Sequence, residues 1–191
     1  MYKKLNTTSL LNWKWGFIIK KTVIILALIV LVLSLNKQEQ VVIPKEAIRF
    51  RVIANSNKEE DQNLKKKVVN NLNKNIQTLT FTAKDISSSR EMIKSSLPRF
   101  ESTIQKTLND ENSTQNYTLN YGMNYFPEKE YKGVIYEEGE YESLVITLGD
   151  GLGDNFWCIL FPPLCLLEAD EENLEEIEYT SFIKEVIEKY F

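Results

Sequence analysis

The chain has 191 residues, of which 43% are hydrophobic and 26% charged, with a formal net charge of −4, which is the composition of one globular domain able to bury a core. It contains no histidine, so Ser-His-Asp and Cys-His catalysis are excluded and the commonest metal ligand is missing. Two cysteines alone cannot close a zinc site of the usual Cys and His kind.

The N-terminus carries Lys3, Lys4, Lys14, Lys20 and Lys21 with no acidic residue, followed by an uncharged apolar run from Thr22 to Leu35. Residues 1–35 therefore read as a signal peptide or a membrane anchor. Fourteen helical residues reach roughly 21 Å, short of the ~30 Å hydrocarbon core unless Phe17 to Ile19 also insert. An apolar run of this length fits a cleaved signal, although Val32-Leu33-Ser34 is only a distant approach to a cleavage site, so both forms stay open. The lysines should remain in the cytoplasm, which places everything after Leu35 on the far side of the membrane. Without those five lysines the remainder holds 18 basic and 27 acidic residues, a net charge of −9 that argues against nucleic-acid binding.

Residues 36–46 read as a linker, and residues 47–167 as the extracytoplasmic domain. Ile48, Phe50 and Val52 alternate with Arg49 and Arg51, the pattern of a half-buried strand whose arginines project from the opposite face. Asn55-Ser56-Asn57 supplies helix-capping chemistry, and Leu64, Val68, Leu72, Ile76 and Leu79 recur at helical spacing. Ser88 with Glu91 has capping-box spacing ahead of a second stripe, Ile93, Leu97, Phe100, Ile104 and Leu108, in which Pro98 marks a kink or a fresh helix start. Tyr117, Leu119, Tyr121, Met123 and Tyr125 alternate with polar residues as a strand. Lys132 to Tyr136 and Tyr141 to Leu148 flank Glu137-Glu138-Gly139-Glu140, a connection of hairpin length.

Phe156 to Phe161 is a continuous apolar run suited to a strand buried on both faces, ended by Pro162-Pro163. The turn that follows could bring Cys158 and Cys165 together; closing so short a loop would contribute roughly 2.5 kcal/mol. An exported chain favours the disulfide, while the apolar surroundings suit buried thiols equally. Residues 168–191 read as an acidic amphipathic C-terminal helix, with Leu174, Ile177, Ile183, Val186, Ile187 and Tyr190 on its apolar side. That side suits docking on the domain's own sheet or, alternatively, a partner. The fold class is α+β: one layered domain of a strand, two helices, a run of antiparallel strands and a terminal helix.

Asp150 and Asp154 among Gly149, Gly151 and Gly153 suit a turn better than a calcium loop, since the spacing is not that of an EF-hand and only two carboxylates are offered. The glutamates around Gly139 read as a solvated face rather than a glycosidase pair. No small-molecule cofactor and no metal are indicated.

Three stretches, AIRFRVIANS at Ala47–Ser56 with EDQNLK at Glu60–Lys65, GEYESLVITLGDG at Gly139–Gly151 and NFWCILFPPLC at Asn155–Cys165, together resemble the stage II sporulation protein R family of endospore-forming bacteria. The chain departs from the expected pattern at Asn57, Glu137-Glu138 and Phe156. The resemblance implies a non-enzymatic signal made in the forespore and exported into the space between forespore and mother-cell membranes. There it would activate a membrane-embedded aspartic protease that processes the pro-sigma-E factor. It also points to Arg49, Arg51, Asn55, Asp61, Glu140, Tyr141, Asp150, Asn155 and Trp157 as partner-binding or fold-critical, Trp157 being the most core-like. Two competing readings are a secreted hydrolase using Asp150, Asp154 or Glu140, and a membrane-tethered structural domain.

Overall fold

The computed structural model describes residues 21, 23–26, 41–165 and 176–191. The chain divides into Met1–Glu39 and Gln40–Phe191. In the first unit Lys21 and Val23–Leu26 are helical, and the rest of the expected signal or anchor lies outside the described residues. Among the described residues no helix is long and apolar enough to cross a membrane.

The second unit runs β1 (Val41–Val42), β2 (Ile48–Ile53), α1 (Glu59–Thr82), α2 (Ile86–Asp110), β3 (Tyr117–Phe126), β4 (Lys129–Tyr131), β5 (Val134–Tyr136), β6 (Gly139–Leu148), β7 (Asn155–Phe161) and α3 (Glu176–Tyr190). The α+β class holds, with a different strand arrangement. The main sheet has the order β3-β6-β2-β7, in which β2 is parallel to β6 and antiparallel to β7. A parallel pair needs a long crossover, and α1 and α2 supply it. Because β2 inserts between β6 and β7, the Gly-Asp connection spans the end of β2 and is not a hairpin turn. The Glu137–Glu140 connection is not one either: β5 belongs to a small sheet, order β1-β5-β4, and the chain changes sheets there. The end of the expected linker is also structured, for β1 pairs with β5 and Ile43 is fully buried.

One face of the main sheet carries Phe50, Val52, Leu144, Ile146 and Leu160 against Val68, Leu72 and Ile76 of α1 and Ile93, Phe100 and Ile104 of α2. The two helical stripes read from spacing are thus the core. Glu59, Glu60 and Asp61 occupy the first turn of α1, where the helix dipole favours negative charge. The capping box of α2 is built from Asp85 and Ser88, one turn earlier than the Ser88–Glu91 spacing suggested. Asp85 accepts from the Ser88 amide at 2.7 Å and Ser88 Oγ accepts from the Asp85 amide at 3.1 Å. Pro98 sits inside a continuous α2, because Ile93 before it and Phe100 and Ile104 after it are all buried, and that burial outweighs the ~3 kcal/mol a helical proline costs.

The small sheet packs under α3: Tyr179 and Ile183 are buried with Ile43, Val134, Tyr136, Ile159 and Leu164, so this apolar stripe docks on its own domain. Leu174 lies outside the described residues. In β7, Cys158 to Phe161 are buried, whereas Phe156 and Trp157 are half-buried. Only the second half of this edge strand lies between the helical layer and the α3 cluster. Beyond it the chain folds back so that the amides of Leu164 and Cys165 both reach the Ile159 carbonyl at 3.2 Å, and Cys158 and Cys165 form a disulfide with Cα atoms 5.3 Å apart. Reducing this bond should lower stability by about 2.5 kcal/mol, the chain-entropy value for a loop of this length. Urea unfolding with and without reductant checks it, and coincident curves would show that packing alone holds the turn.

Candidate partner-binding surface

The predicted residues fall into two groups at different places on β2. The first is a polar knot where β2 ends and α1 begins. Asp61 accepts from Asn55 Nδ2 at 2.9 Å, from Ser56 Oγ at 2.5 Å and, across the fold, from Gln115 Nε2 at 2.5 Å. The Ser56 hydrogen bond, followed by those of Asn55 and Gln115, outweighs burial and holds this carboxyl below the ordinary carboxylate range. Asn55 and Asn57, expected as caps, instead anchor the β6–β7 loop. Asn55 Oδ1 accepts from the Asp150 amide at 2.9 Å, and Asn57 Oδ1 accepts from the Asp154 amide at 2.6 Å. The amides of Leu152 and Gly153 donate to the carbonyls of Asn55 and Ala54 at 3.0 and 2.9 Å. Lys65 Nζ closes the knot on the Asp154 carbonyl at 2.9 Å.

Asp150 and Asp154 thus enter the knot mainly through backbone amides, the turn role their neighbouring glycines suggest, and Asp154 Oδ1 also accepts from Asn57 Nδ2 at 3.4 Å. The glycines have a steric reason as well. A β-carbon on Gly153 would run into the Ser56 carbonyl, which is backbone and cannot swing away. Gly153→Ala should therefore cost about 1–3 kcal/mol. A thermal melt checks this, and an unchanged midpoint would mean the loop yields.

The second group lies on the sheet face away from the helices. Alternation along β2 sends Arg49 and Arg51 there, across from Ser143 and Val145 on β6 and from Ile159 and Trp157 on β7. The small sheet covers one end of this face, so Arg49 is only 1% exposed and is not the surface arginine its strand pattern suggested. Its Cζ lies 3.3 Å from the Tyr141 ring centroid, 5.3 Å from Phe126 and 5.9 Å from Tyr136. Nη1 reaches the Glu137 carbonyl at 3.5 Å, while Nε and Nη2 have no hydrogen-bond partner among the described residues. Arg51, half-buried, sits 4.6 Å from Phe126 and 6.0 Å from Trp157, and its Nε is likewise unpartnered. Burial pulls the pKa of both guanidinium groups down, with Tyr141 acting against this at Arg49.

Phe126 packs edge-on against Trp157 at 5.1 Å and Tyr141 at 6.2 Å, and Lys129 Nζ stands 5.3 Å from the Trp157 ring. Two arginines and a lysine are therefore arrayed on aromatic rings, Tyr141 at the buried end and Trp157 at the open end. Asn155 stands beside this array, opposite Ile53, with a buried and unpartnered Oδ1. Glu140 is exposed, opposite Tyr125, and belongs to neither group. Gln115, Lys65, Phe126 and Lys129 were missed. Phe126 alone had a local signal, as the last residue of an alternating strand; the others join the groups only through tertiary contacts.

Residues 44–171 match a family model described as stage II sporulation protein R. Stage II sporulation protein R of Bacillus subtilis (strain 168) is 39% identical over 184 residues, covering 89% of this chain and 82% of that protein. No solved structure matches the chain.

Proposed function

Because the chain belongs to the stage II sporulation protein R family, we propose that it is an exported forespore signal that activates a membrane-embedded aspartic protease, the one that removes the pro-sequence of the pro-sigma-E factor in the mother cell. A role in sporulation follows from the family; the protease and the route of export are the proposal. The observation that carries a binding role is the open end of the arginine and aromatic face. Arg51, Trp157 and Lys129 there present cationic and aromatic groups, and Arg51 Nε has no hydrogen-bond partner among the described residues. Aromatic and arginine side chains are those that dominate interface energetics, and an acidic extracytoplasmic loop would complement them. Asp61, by contrast, is saturated by three donors and has a structural task. A ligand activates a protease only by binding its active state more tightly than its inactive one.

Co-expression of this chain, the protease and the pro-sigma-E precursor in a non-sporulating host tests the reading by immunoblot. Cleavage that requires this chain together with residues 1–35 is the expected result. No cleavage with all three proteins made and folded, or cleavage independent of this chain, would overturn it.

A further inference from the structure

The main sheet has two edges, and they are treated differently. β7 ends at Pro162-Pro163 and is tied back by the Cys158–Cys165 disulfide, while its inner face lies on α1. β3 has none of these devices. It is ten residues long, pairs with β6 in unbroken register from Tyr117 to Phe126, and has no strand on its far side among the described residues. It contains no proline, no bulge and no charge, and the uncharged stretch extends back to Asn112 in a chain that is 26% charged. The edges of the small sheet, β1 and β4, are two and three residues long. Soluble proteins blunt open edges with short strands, lysines, prolines or bulges, because a row of unpaired amides and carbonyls roughly 30 Å long is a template for another strand.

The side chains of β3 suit one occupant. A strand pairing antiparallel with its own copy about a two-fold axis sets the residues nearest the axis against their own symmetry mates, so a charge near the middle of the strand brings a like-charge contact. β3 has no charge, although the residues after Leu35 carry net −9. Its two rows also match themselves. Tyr117, Leu119, Tyr121, Met123 and Tyr125 form one row, with Met123 and Tyr125 63% and 54% exposed. Thr118 and Asn120, both exposed, and the half-buried Asn124 lie on the other, where Asn120 Nδ2 donates to Asn124 Oδ1 at 3.1 Å and Asn124 Nδ2 donates to Ser143 Oγ at 3.0 Å. The strand is tied to its own sheet and to α2, since the Tyr121 hydroxyl donates to Glu142 at 2.6 Å and Glu142 in turn accepts from Arg90 Nε at 2.8 Å.

We propose that β3 is a dimerisation edge, at which two copies of this chain pair antiparallel about a two-fold axis normal to the main sheet. Each four-stranded sheet then continues into the other, the aromatic rows meet on the helix side and the Thr and Asn rows meet on the arginine side. The two Arg51 and Trp157 clusters face the same way and lie two strands in from the seam or farther. This dimer does not depend on which protein the arginine face binds.

Sedimentation velocity on the full chain in mild detergent tests it. The wild-type chain should pass from monomer to dimer as its concentration rises. Asn120→Lys with Asn124→Lys, which sets lysines of the two copies against each other, should weaken the dimer by at least about tenfold. Circular dichroism confirms that the variant is folded; should it not be, Asn120→Lys alone, which leaves the Asn124–Ser143 hydrogen bond in place, and amide exchange on the wild-type chain replace it. Protection of β3 amides that grows with concentration would support the seam. A monomer at every concentration, a dimer indifferent to these lysines, or β3 amides protected only when a different protein is added would each overturn the proposal, the last by showing that the edge takes a foreign strand.

Discussion

Asp61→Ala should destabilise the domain by on the order of 3 kcal/mol, since it strands several donors at once. Asn55 Nδ2, Ser56 Oγ and Gln115 Nε2 all donate to this carboxylate, which is 7% exposed. Among the described residues Gln115 already has a buried carbonyl oxygen without a partner, so removing the carboxylate would leave both ends of its amide without a protein partner. Urea unfolding at neutral pH measures the loss. A pH series separates the charge from the shape. The folded-state pKa of Asp61 lies below its unfolded value, so its contribution is fully present above the ordinary carboxylate pKa of about 3.9 and is lost as pH falls through the folded value. The stability gap between the wild-type protein and Asp61→Asn should accordingly close as the pH drops below about 4. A gap that stays constant in acid would show that hydrogen-bond geometry, not charge, is what Asp61 supplies.

Arg51→Met should reduce pro-sigma-E processing in the co-expression assay by at least about tenfold, about 1.4 kcal/mol, with the melting temperature little changed. Arg51 is half-buried, its Nε has no partner, and its guanidinium lies on Phe126 near Trp157. Methionine keeps the apolar stem against those rings and removes only the cation, so the fold loses a cation–π contact of roughly 1 kcal/mol and is relieved of a desolvated charge. A partner carboxylate would lose its bidentate donor. Arg51→Lys, which keeps the charge without the fork, should recover processing in part. Full processing by Arg51→Met would remove this face from the interface; lost processing with an equally lost fold would make Arg51 structural.

The sequence showed the elements more readily than their neighbours. The stripes of α1 and α2 and the alternation of β2 and β3 are local periodicities, and each corresponds to an element in the structure. Partner choice is not local. The position of β2 between β6 and β7 rests on pairing Arg49 with Ser143 and with Ile159, which no short-range pattern encodes. The same limit explains the arginines: alternation assigned Arg49 and Arg51 to one face, but only the small sheet decides that Arg49 is sealed and Arg51 is not. Asn55 and Asn57 have the side chains of helix caps, yet the loop that competes for them arrives about a hundred residues later through Asp150 and Asp154, and it takes their carbonyl oxygens. Lys65 sits at an ordinary helical position, and nothing in its neighbourhood marks the Asp154 carbonyl as its acceptor.

The central strand of the sheet is also the first of its four to be synthesised. β2 finds one neighbour in β6 and the other in β7, so until Phe161 has been made it lacks at least one side of its ladder, while α1 and α2 form next to it from local contacts. Folding therefore has a built-in delay: fast helices, then slow closure of a sheet of high contact order around a strand that has waited since the start. During that delay α1 and α2 lack the sheet face they are to cover, so the domain becomes one cooperative unit only once Phe161 is in place.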